Sequence, residues 1–412
     1  MTSASIVSIG NELLNGHTAD TNATYICQQL LSIGVPVVNV YTVGDDIKQI
    51  VRALKRAAED ADIVITTGGL GPTDDDLTRQ AFAEFLGVEL KLDLKLLESI
   101  RRFFEKRGLP MPEKNTIQAC FPVGTSPIGN PLGTAPGIFV RKKGKLLIAL
   151  PGVPVEMKRM FENSVLPCLK QQGGDRFVVV RKVRCFGTGE SAIAEKLDVL
   201  MDRHRTPLIN STVDSGIITL HVVASALTKE QAEQLAQDDL ERLKLLLGDL
   251  VFGVDDQTLP EVVGQELARQ RKTIAVAESC TGGLLAKLLT DIPGSSEYFT
   301  QGWITYSNKA KAEQLGVSQE LLQKHGAVSQ EVASAMAIAA RQKAQTDFAI
   351  AITGIAGPAG GSEQKPVGLV FICVSSYNNC LTNRFLFAHT RELVRIRAAL
   401  TALNMLRLKL KS

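Results

Sequence analysis

Through the first block of the chain, runs of apolar residues alternate with segments whose apolar positions recur every three or four residues. The runs ASIVSIG (4–10), VPVVNVYTVG (35–44) and ADIVITTGGLGP (61–72) predict strands, being short, rich in Val and Ile, and bounded by Gly or Pro. Between them DTNATYICQQLLSIG (20–34) sets Ala23, Ile26, Cys27, Leu30 and Leu31 at helical spacing, and a second helix is expected from Asp46. Cys27 then reads as a core residue. The order is βαβαβ with strands apolar throughout, which predicts a parallel sheet covered by helices on both faces. Further on, GIFVRKKGKLLIALPG (137–152) predicts a hairpin turning on Lys142, Lys143 and Gly144, so its basic cluster reads as a solvated turn before a phosphate site.

The pattern changes after LPCLKQQGGDR. Residues 175–250 read as a strand, a helix in GTGESAIAEKLDVLM, a strand in GIITLHVVASAL and a long helix from Lys229, a small α+β unit. A third block from near Asp255 alternates again, with strands in KTIAVAES, DFAIAITG and LVFICVSS and helices beginning near Thr281, Ser329 and Arg391. The expected division is residues 1–172, 173–253 and 254–412, within the two or three domains that 412 residues suggest.

Composition changes this picture little. A 45% hydrophobic and 22% charged chain is ordinary for a water-soluble fold, and a formal charge of +3 demands neither nucleic acid nor a membrane. The seven cysteines are scattered without a CxxC pair, which argues against a disulfide framework or zinc ribbon and for reduced thiols. With no basic-then-apolar leader and no apolar run long enough to span a bilayer, the expected location is the cytoplasm.

Three turns in the first block carry unusual residue types: GNELLNGHTADTN (10–22), TTGGLGPTDDDLT (66–78) and GTAPG (133–137). Glycines at a strand-to-helix turn let backbone N–H groups approach an anion, although Gly68, Gly69 and Gly71 can equally serve only to make a tight turn. The adjacent Asp74, Asp75 and Asp76 repel one another unless a helix N-terminus, solvent or a hard cation compensates. The residues leave open a metal–diphosphate site or solvated capping acids. With NPLGTAPG and ALPGVPVEM, these motifs resemble the molybdopterin-binding-like domain at the N-terminus of the CinA (competence/damage-inducible) family, over most of residues 4–170. The resemblance implies hydrolysis of ADP-ribose to AMP and ribose 5-phosphate with a divalent metal, Co, Mn or Mg. It places Glu12, Asp20 and Asn22 in the first loop and Gly69, Gly71, Thr73, Asp75 and Asp76 in the second. Glu12, Asp20, Asp75 and Asp76 are the expected metal ligands, and Gly69, Gly71 and Thr73 the expected substrate contacts. The middle unit, with CFGTGES on its first turn, resembles the family's KH-like domain. It lacks flanking basic residues for a phosphate clamp, so a spacer or dimer element is expected rather than a nucleic-acid site.

The third block holds AVAESCTGGLLAKLL (275–289), where Ser279 to Gly283 form a turn at the carboxyl end of a strand, a usual place for ligands in open α/β sheets. N–H groups at Thr281 to Gly283 can stabilise an oxyanion or phosphate, or Ser279 or Thr281 can simply cap the helix. No histidine motif offers Ser279 a base. WITYSNKAKAEQLG (303–316) supplies Tyr306, Lys309 and Lys311, and a desolvated lysine can serve as base, although such residues before a helix are commonly superficial. Cys280 is the rival nucleophile, since a helix N-terminus can depress a thiol pKa. A glycine-rich loop, ITGIAGPAGGSEQKPVG (352–368), suits close backbone contact with a ribose or phosphate. Arg391 and Arg395, one turn apart, can meet a phosphate or line a solvated face.

AESCTGG, TYSNKAK and TGIAGPAGGSEQKPVG together resemble the CinA C-terminal domain, over residues 255–410. That resemblance implies an amidohydrolase converting nicotinamide mononucleotide to nicotinic acid mononucleotide and ammonia without a metal. Ser279 would attack the carboxamide, Tyr306 and Lys311 would handle protons, and Lys309 would stay on the surface. Thr281, Gly282, Gly283, Thr353, Gly354, Gly357, Gly360, Arg391 and Arg395 would bind substrate. The family also implies a homodimer, with no membrane or nucleic-acid partner. The expected fold is α/β: a parallel-sheet N-terminal domain, a small α+β KH-like domain and a C-terminal α/β domain. The competing expectation is a non-catalytic nucleotide-binding scaffold serving competence or DNA recombination through a partner.

Overall fold

In the computed structural model, which describes residues 2–170 and 176–411, the apolar runs of the first block become β1 (Ala4–Ile9), β2 (Val37–Val43) and β3 (Ile63–Thr67). They are followed by β4 (Leu90–Leu92), β5 (Cys120–Pro122), β6 (Ser126–Ile128), β7 (Gly137–Lys142) and β8 (Lys145–Leu150). The sheet order is β2-β1-β3-β8-β7-β6, with β4 and β5 as a separate ribbon. Strands β2, β1, β3 and β8 are parallel, whereas β7 runs antiparallel to both of its neighbours, β8 and β6. The expected parallel sheet is found, and the expected β7–β8 hairpin adds antiparallel strands at one side of it. That hairpin turns on Lys143 and Gly144 alone, at φ 50° and 77°, the left-handed pair that a two-residue turn of this hand requires.

Alternation along the central strands sends side chains to two cores. Val7, Val64 and Leu147 pack with Ile50, Leu54 and Phe82; Ile6, Ile65 and Ile148 pack with Ile26, Leu30 and Met157 on the opposite face. Edge strand β2 departs from the expected burial, leaving Val38 and Val40 exposed.

A four-stranded sheet, ordered β10-β11-β9-β12, is built from β9 (Phe177–Cys185), β10 (Leu208–Asp214), β11 (Ile217–Ala226) and β12 (Val251–Val254). Helices Glu190–Leu197 and Lys229–Leu247 lie between its strands in sequence. The C-terminal sheet, ordered β14-β13-β15-β16-β17, comprises β13 (Ile274–Glu278), β14 (Phe299–Ile304), β15 (Phe348–Gly354), β16 (Leu369–Ser375) and β17 (Cys380–Leu386). Here β14, β13 and β15 are parallel and β15, β16 and β17 antiparallel. Helix Gln330–Ala344 covers Ala275, Ala277, Ala349 and Ala351 on one face. On the other, helices Leu259–Gln270 and Arg391–Lys411 pack on Val276, Ile350 and Ile372.

Two compact units result: residues 1–179 with 224–234, and residues 180–223 with 235–412. The boundary expected at 172/173 lies outside the described residues.

Candidate functional site

Strand β13 runs buried to Glu278, and the next residue is Ser279. Glu278 is 1% exposed. Its carboxylate accepts the N–H groups of Gly283 (3.1 Å), Leu285 (3.0 Å) and Ala286 (2.8 Å), satisfying the start of the helix Leu284–Thr290. Ser279 donates its own N–H to the Ile352 carbonyl (2.9 Å), and Gly282 donates to the Ser279 carbonyl (3.1 Å). The Gly282 and Gly283 N–H groups expected to face an anion are therefore committed within the turn. Nor does Ser279 or Thr281 cap this helix with its side chain. Among the described residues the Thr281 N–H has no protein acceptor, and the hydroxyls of Thr281 and Thr305 are buried without a partner.

What Ser279 does have is a buried lysine as neighbour. Its Oγ, in a residue 7% exposed, accepts from Lys311 Nζ at 2.9 Å. Lys311 also donates to the carbonyls of Thr305 (2.8 Å) and Tyr306 (3.3 Å). It is 1% exposed, and burial pulls its pKa from 10.5 down to about 8. The local sequence explains the placement. Ser307 caps the helix Asn308–Leu315 by accepting from Ala310 N (3.0 Å), which turns Lys311 inward. Lys309, about 200° away on the same helix, remains outside with an 81% exposed side chain beside Glu313.

Cys280 is corrected as the rival nucleophile: it is 5% exposed, and burial pushes its thiol up to about 12 instead of depressing it. Tyr306 is 59% exposed. Its hydroxyl accepts from Arg391 Nη2 (3.1 Å), and Arg391 Nη1 reaches the Gly357 carbonyl (2.7 Å). Arg395 Nη2 donates to the Thr281 carbonyl (2.7 Å). These two arginines thus clasp the loops around Ser279, Arg391 from an exposed position and Arg395 from a half-buried one. Thr353 spends its hydroxyl on the Ala327 carbonyl (2.8 Å), next to Gly354 at the end of β15. Gly357, with φ 80°, lies against Val367, and a Cβ there would sit 2.5 Å from its Cγ1. Gly360 lies further along the same loop, with φ 91°.

The N-terminal sheet carries a second concavity, a cavity of about 370 Å³ at the carboxyl ends of β1, β3 and β8. Glu12, Gly69, Gly71, Asp75 and Asp76 line it, as do Asp45 and Glu156, which sequence reasoning passed over. Glu156 accepts from Asn130 Nδ2 (2.7 Å), whose Oδ1 accepts from Gly133 N (2.8 Å). Both residues stand inside motifs quoted above, NPLGTAPG and ALPGVPVEM, so the signal was present. Asp76 is largely committed to its loop, accepting from Gly71 N (2.7 Å), Thr73 N (2.9 Å) and Thr73 Oγ1 (2.5 Å). The exposed carboxyl of Asp75 is lowered by hydrogen bonding from Thr73. Buried Arg79 donates to the carbonyls of Leu70 (2.6 Å) and Gly71 (2.8 Å), fixing the glycine turn. Asp20 is a correction: it caps the helix Thr21–Ser32 by accepting from Ala23 N (2.9 Å) and is not part of the cavity wall. Asn22 ties the first loop to the turn after β8, donating to the Gly152 carbonyl (2.8 Å). Among the described residues no three His, Cys, Asp or Glu side chains converge closely enough to hold a metal by themselves. No described helix is long and apolar enough to cross a membrane.

Fold and sites together define a mixed α/β protein with a molybdopterin-binding-like domain, a KH-like domain and a C-terminal α/β domain. Residues 5–171 match the probable molybdopterin binding domain, residues 180–253 the damage-inducible protein CinA KH domain, and residues 256–410 the CinA C-terminal domain. A competence-damage inducible protein of Clostridium beijerinckii is 43% identical over 404 residues, 98% of this chain and 98% of its own. Another, from Caldicellulosiruptor bescii, is 40% identical over 407 residues, 99% of each chain. The chain belongs to the CinA family of competence-damage inducible proteins. A solved structure of the competence/damage inducible protein CihA from Agrobacterium tumefaciens is 41% identical, covering 37% of this chain and 94% of that one, with a TM-score of 0.36.

Proposed function

We propose that this chain is an amidohydrolase that converts nicotinamide mononucleotide to nicotinic acid mononucleotide and ammonia, with Ser279 as nucleophile and Lys311 as general base. The observation that carries this reading is the buried 2.9 Å contact between Lys311 Nζ and Ser279 Oγ. A neutral lysine that gives its two hydrogens to the carbonyls of Thr305 and Tyr306 turns its lone pair to Ser279 Oγ. Oγ then attacks the carboxamide carbon as Nζ takes its proton, and the same proton passes to the departing nitrogen, which leaves as ammonia. Water, deprotonated by Lys311, hydrolyses the acyl-serine and returns the proton to Oγ. The Thr281 N–H is placed beside the nucleophile to meet the developing oxyanion, and the remaining guanidinium donors of Arg391 and Arg395 suit the substrate phosphate. Tyr306, exposed and held by Arg391, serves proton transfer from the solvent side. Ammonia release from nicotinamide mononucleotide by the full chain, and its loss in Ser279→Ala, test the reading; a parent chain that releases none overturns it.

The N-terminal cavity supports a second activity, cleavage of the diphosphate of ADP-ribose. Glu12, Asp45, Asp75 and Glu156 offer carboxylates around a glycine turn. Without a preassembled ligand cluster, this donor set fits a hard divalent ion that keeps several waters and takes one or two carboxylates plus substrate phosphates. Such an ion, when bound, neutralises the phosphates and polarises them toward attack. Gly69 and Gly71 let the chain approach the diphosphate, while Asp76 and Arg79 hold their turn rigid. Chelation is expected to abolish AMP release from ADP-ribose and to leave ammonia release intact. AMP release that survives exhaustive chelation overturns the metal assignment.

A further inference from the structure

The cysteines look unrelated along the sequence, but the C-terminal sheet brings two of them together. Cys373 lies on β16 and Cys380 on edge strand β17, where the register opposes Cys373 to Thr382 and Ser375 to Cys380. The two thiols are thus diagonal neighbours, at the end of the hairpin away from Gly354. Their sulfurs approach to 2.8 Å, closer than two unbonded neutral thiols pack. Nothing in the proposed hydrolysis uses them, since Cys373 stands opposite Ala351, short of the end of β15 where Thr353 lies.

The two positions are unequal. Cys373 is fully buried under helix Gln330–Ala344, close to Ser334 and Thr382, whose hydroxyls are 2.7 Å apart. Cys380 is only partly buried. Hydrogen bonding from Cys373 lowers the Cys380 thiol to about 6, while the same contact and burial raise that of Cys373. The accessible member is therefore the one placed to attack, and the buried one the one placed to resolve.

We infer that Cys373 and Cys380 form a redox-active dithiol, oxidised by low-molecular-weight disulfides to an intrachain cross-link, with Cys380 as attacking and Cys373 as resolving residue. The Cys380 thiolate attacks one sulfur of a small disulfide RSSR, forming a mixed disulfide and expelling RS⁻. Cys373, losing its proton, then attacks the Cys380 sulfur and expels the second RS⁻, which takes up a proton. Two electrons pass from the protein dithiol to RSSR, and the first RS⁻ takes up the proton that Cys380 released to solvent on ionising, so the products are one protein disulfide and two RSH. The product staples edge strand β17 to β16, where Ser334 already ties Thr382 to the covering helix.

The test treats the folded full chain with glutathione disulfide, blocks free thiols after denaturation, and weighs the tryptic peptide ending at Arg384, which holds both cysteines. The expected product lacks two hydrogens and both blocking groups until reduced. Cys373→Ser is expected to retain one glutathione on Cys380, because the resolving thiol is gone. Cys380→Ser is expected to leave Cys373 unmodified, because glutathione cannot reach it. A parent chain that keeps both thiols free, or a Cys373→Ser chain that takes no glutathione while showing the parent's circular dichroism, overturns the inference.

Discussion

Ser279 and Cys280 are neighbours of opposite chemical fate, and the difference lies in what each side chain faces. Ser279 Oγ meets the Lys311 amine, whereas the Cys280 thiol turns into the core beside Leu285 and Val394. Ser279→Ala is expected to remove nearly all ammonia release, and Cys280→Ala to keep a substantial part. A nicotinoyl adduct trapped by rapid quench should map to Ser279; an adduct on Cys280 reverses the assignment. Lys311 sets the pH dependence. With its pKa lowered from 10.5 to about 8, it is charged and inactive as a base below pH 8 and neutral above. The value of kcat/KM for nicotinamide mononucleotide should therefore rise about tenfold per pH unit up to pH 7 and level off above about 8. Lys311→Ala should slow acylation about 100–10,000-fold with substrate still bound and should abolish that inflection. A Lys311→Ala chain with the parental rate and profile excludes this lysine as the base. The sequence resemblance singled out Lys311 over Lys309, but the residue pattern alone did not. Two lysines two positions apart face opposite sides of a helix, and only the cap at Ser307 settles which is buried.

The turn after β13 shows how an element holds a side chain in place. A strand-to-helix turn ordinarily leaves N–H groups to an external anion, yet here Glu278 occupies that place and locks the loop carrying Ser279 and Thr281. Glu278→Ala leaves three N–H groups without their acceptor. It is expected to cost about 3 kcal/mol of stability, readable as a lowered denaturation midpoint, and to reduce kcat more than it raises KM. Unchanged stability would mean that water or a moved side chain replaces the carboxylate. The element pattern was legible where strands are buried on both faces, as in β1, β3, β13 and β15. It was not legible for β10, β12, β14 and β17, because edge and half-covered strands carry polar residues that read as loop. FTQGWI in β14 and CLTNRFL in β17 each alternate too weakly to stand out. Glu278 was missed for a related reason: an acid at a strand end reads as surface until the fold buries it. Missing β17 also hid the Cys373–Cys380 contact, since pairing across a hairpin cannot be read from residues treated as a strand and a loop.

At the scale of the whole molecule, the C-terminal α/β domain packs on residues that precede it in the chain. A division at residue 254 separates sequences, but the core around Val394 and Leu403 also contains Phe186 and Phe252, from β12 and the end of β9. The final helix reaches back the same way. Buried Arg407 donates to the carbonyls of Val251 (3.1 Å) and Asp249 (2.5 Å) and bonds Asn404 (2.9 Å). A fragment beginning at Asp255 deletes both phenylalanines and both carbonyl acceptors, leaving the Arg407 guanidinium only Asn404 as partner beside an apolar gap. A fragment beginning at Val180 keeps them all. The longer fragment is expected to release ammonia at a rate near that of the full chain. The shorter should be less stable by at least about 3 kcal/mol, the usual cost of losing one buried phenylalanine, and should lose activity on warming first. Thermal melts of the two fragments beside the full chain, followed by circular dichroism and ammonia release together, decide it. If the fragment from Asp255 melts with the longer one, the catalytic block stands on its own sheet and the contacts of Phe186, Phe252 and Arg407 contribute nothing to holding Ser279 against Lys311.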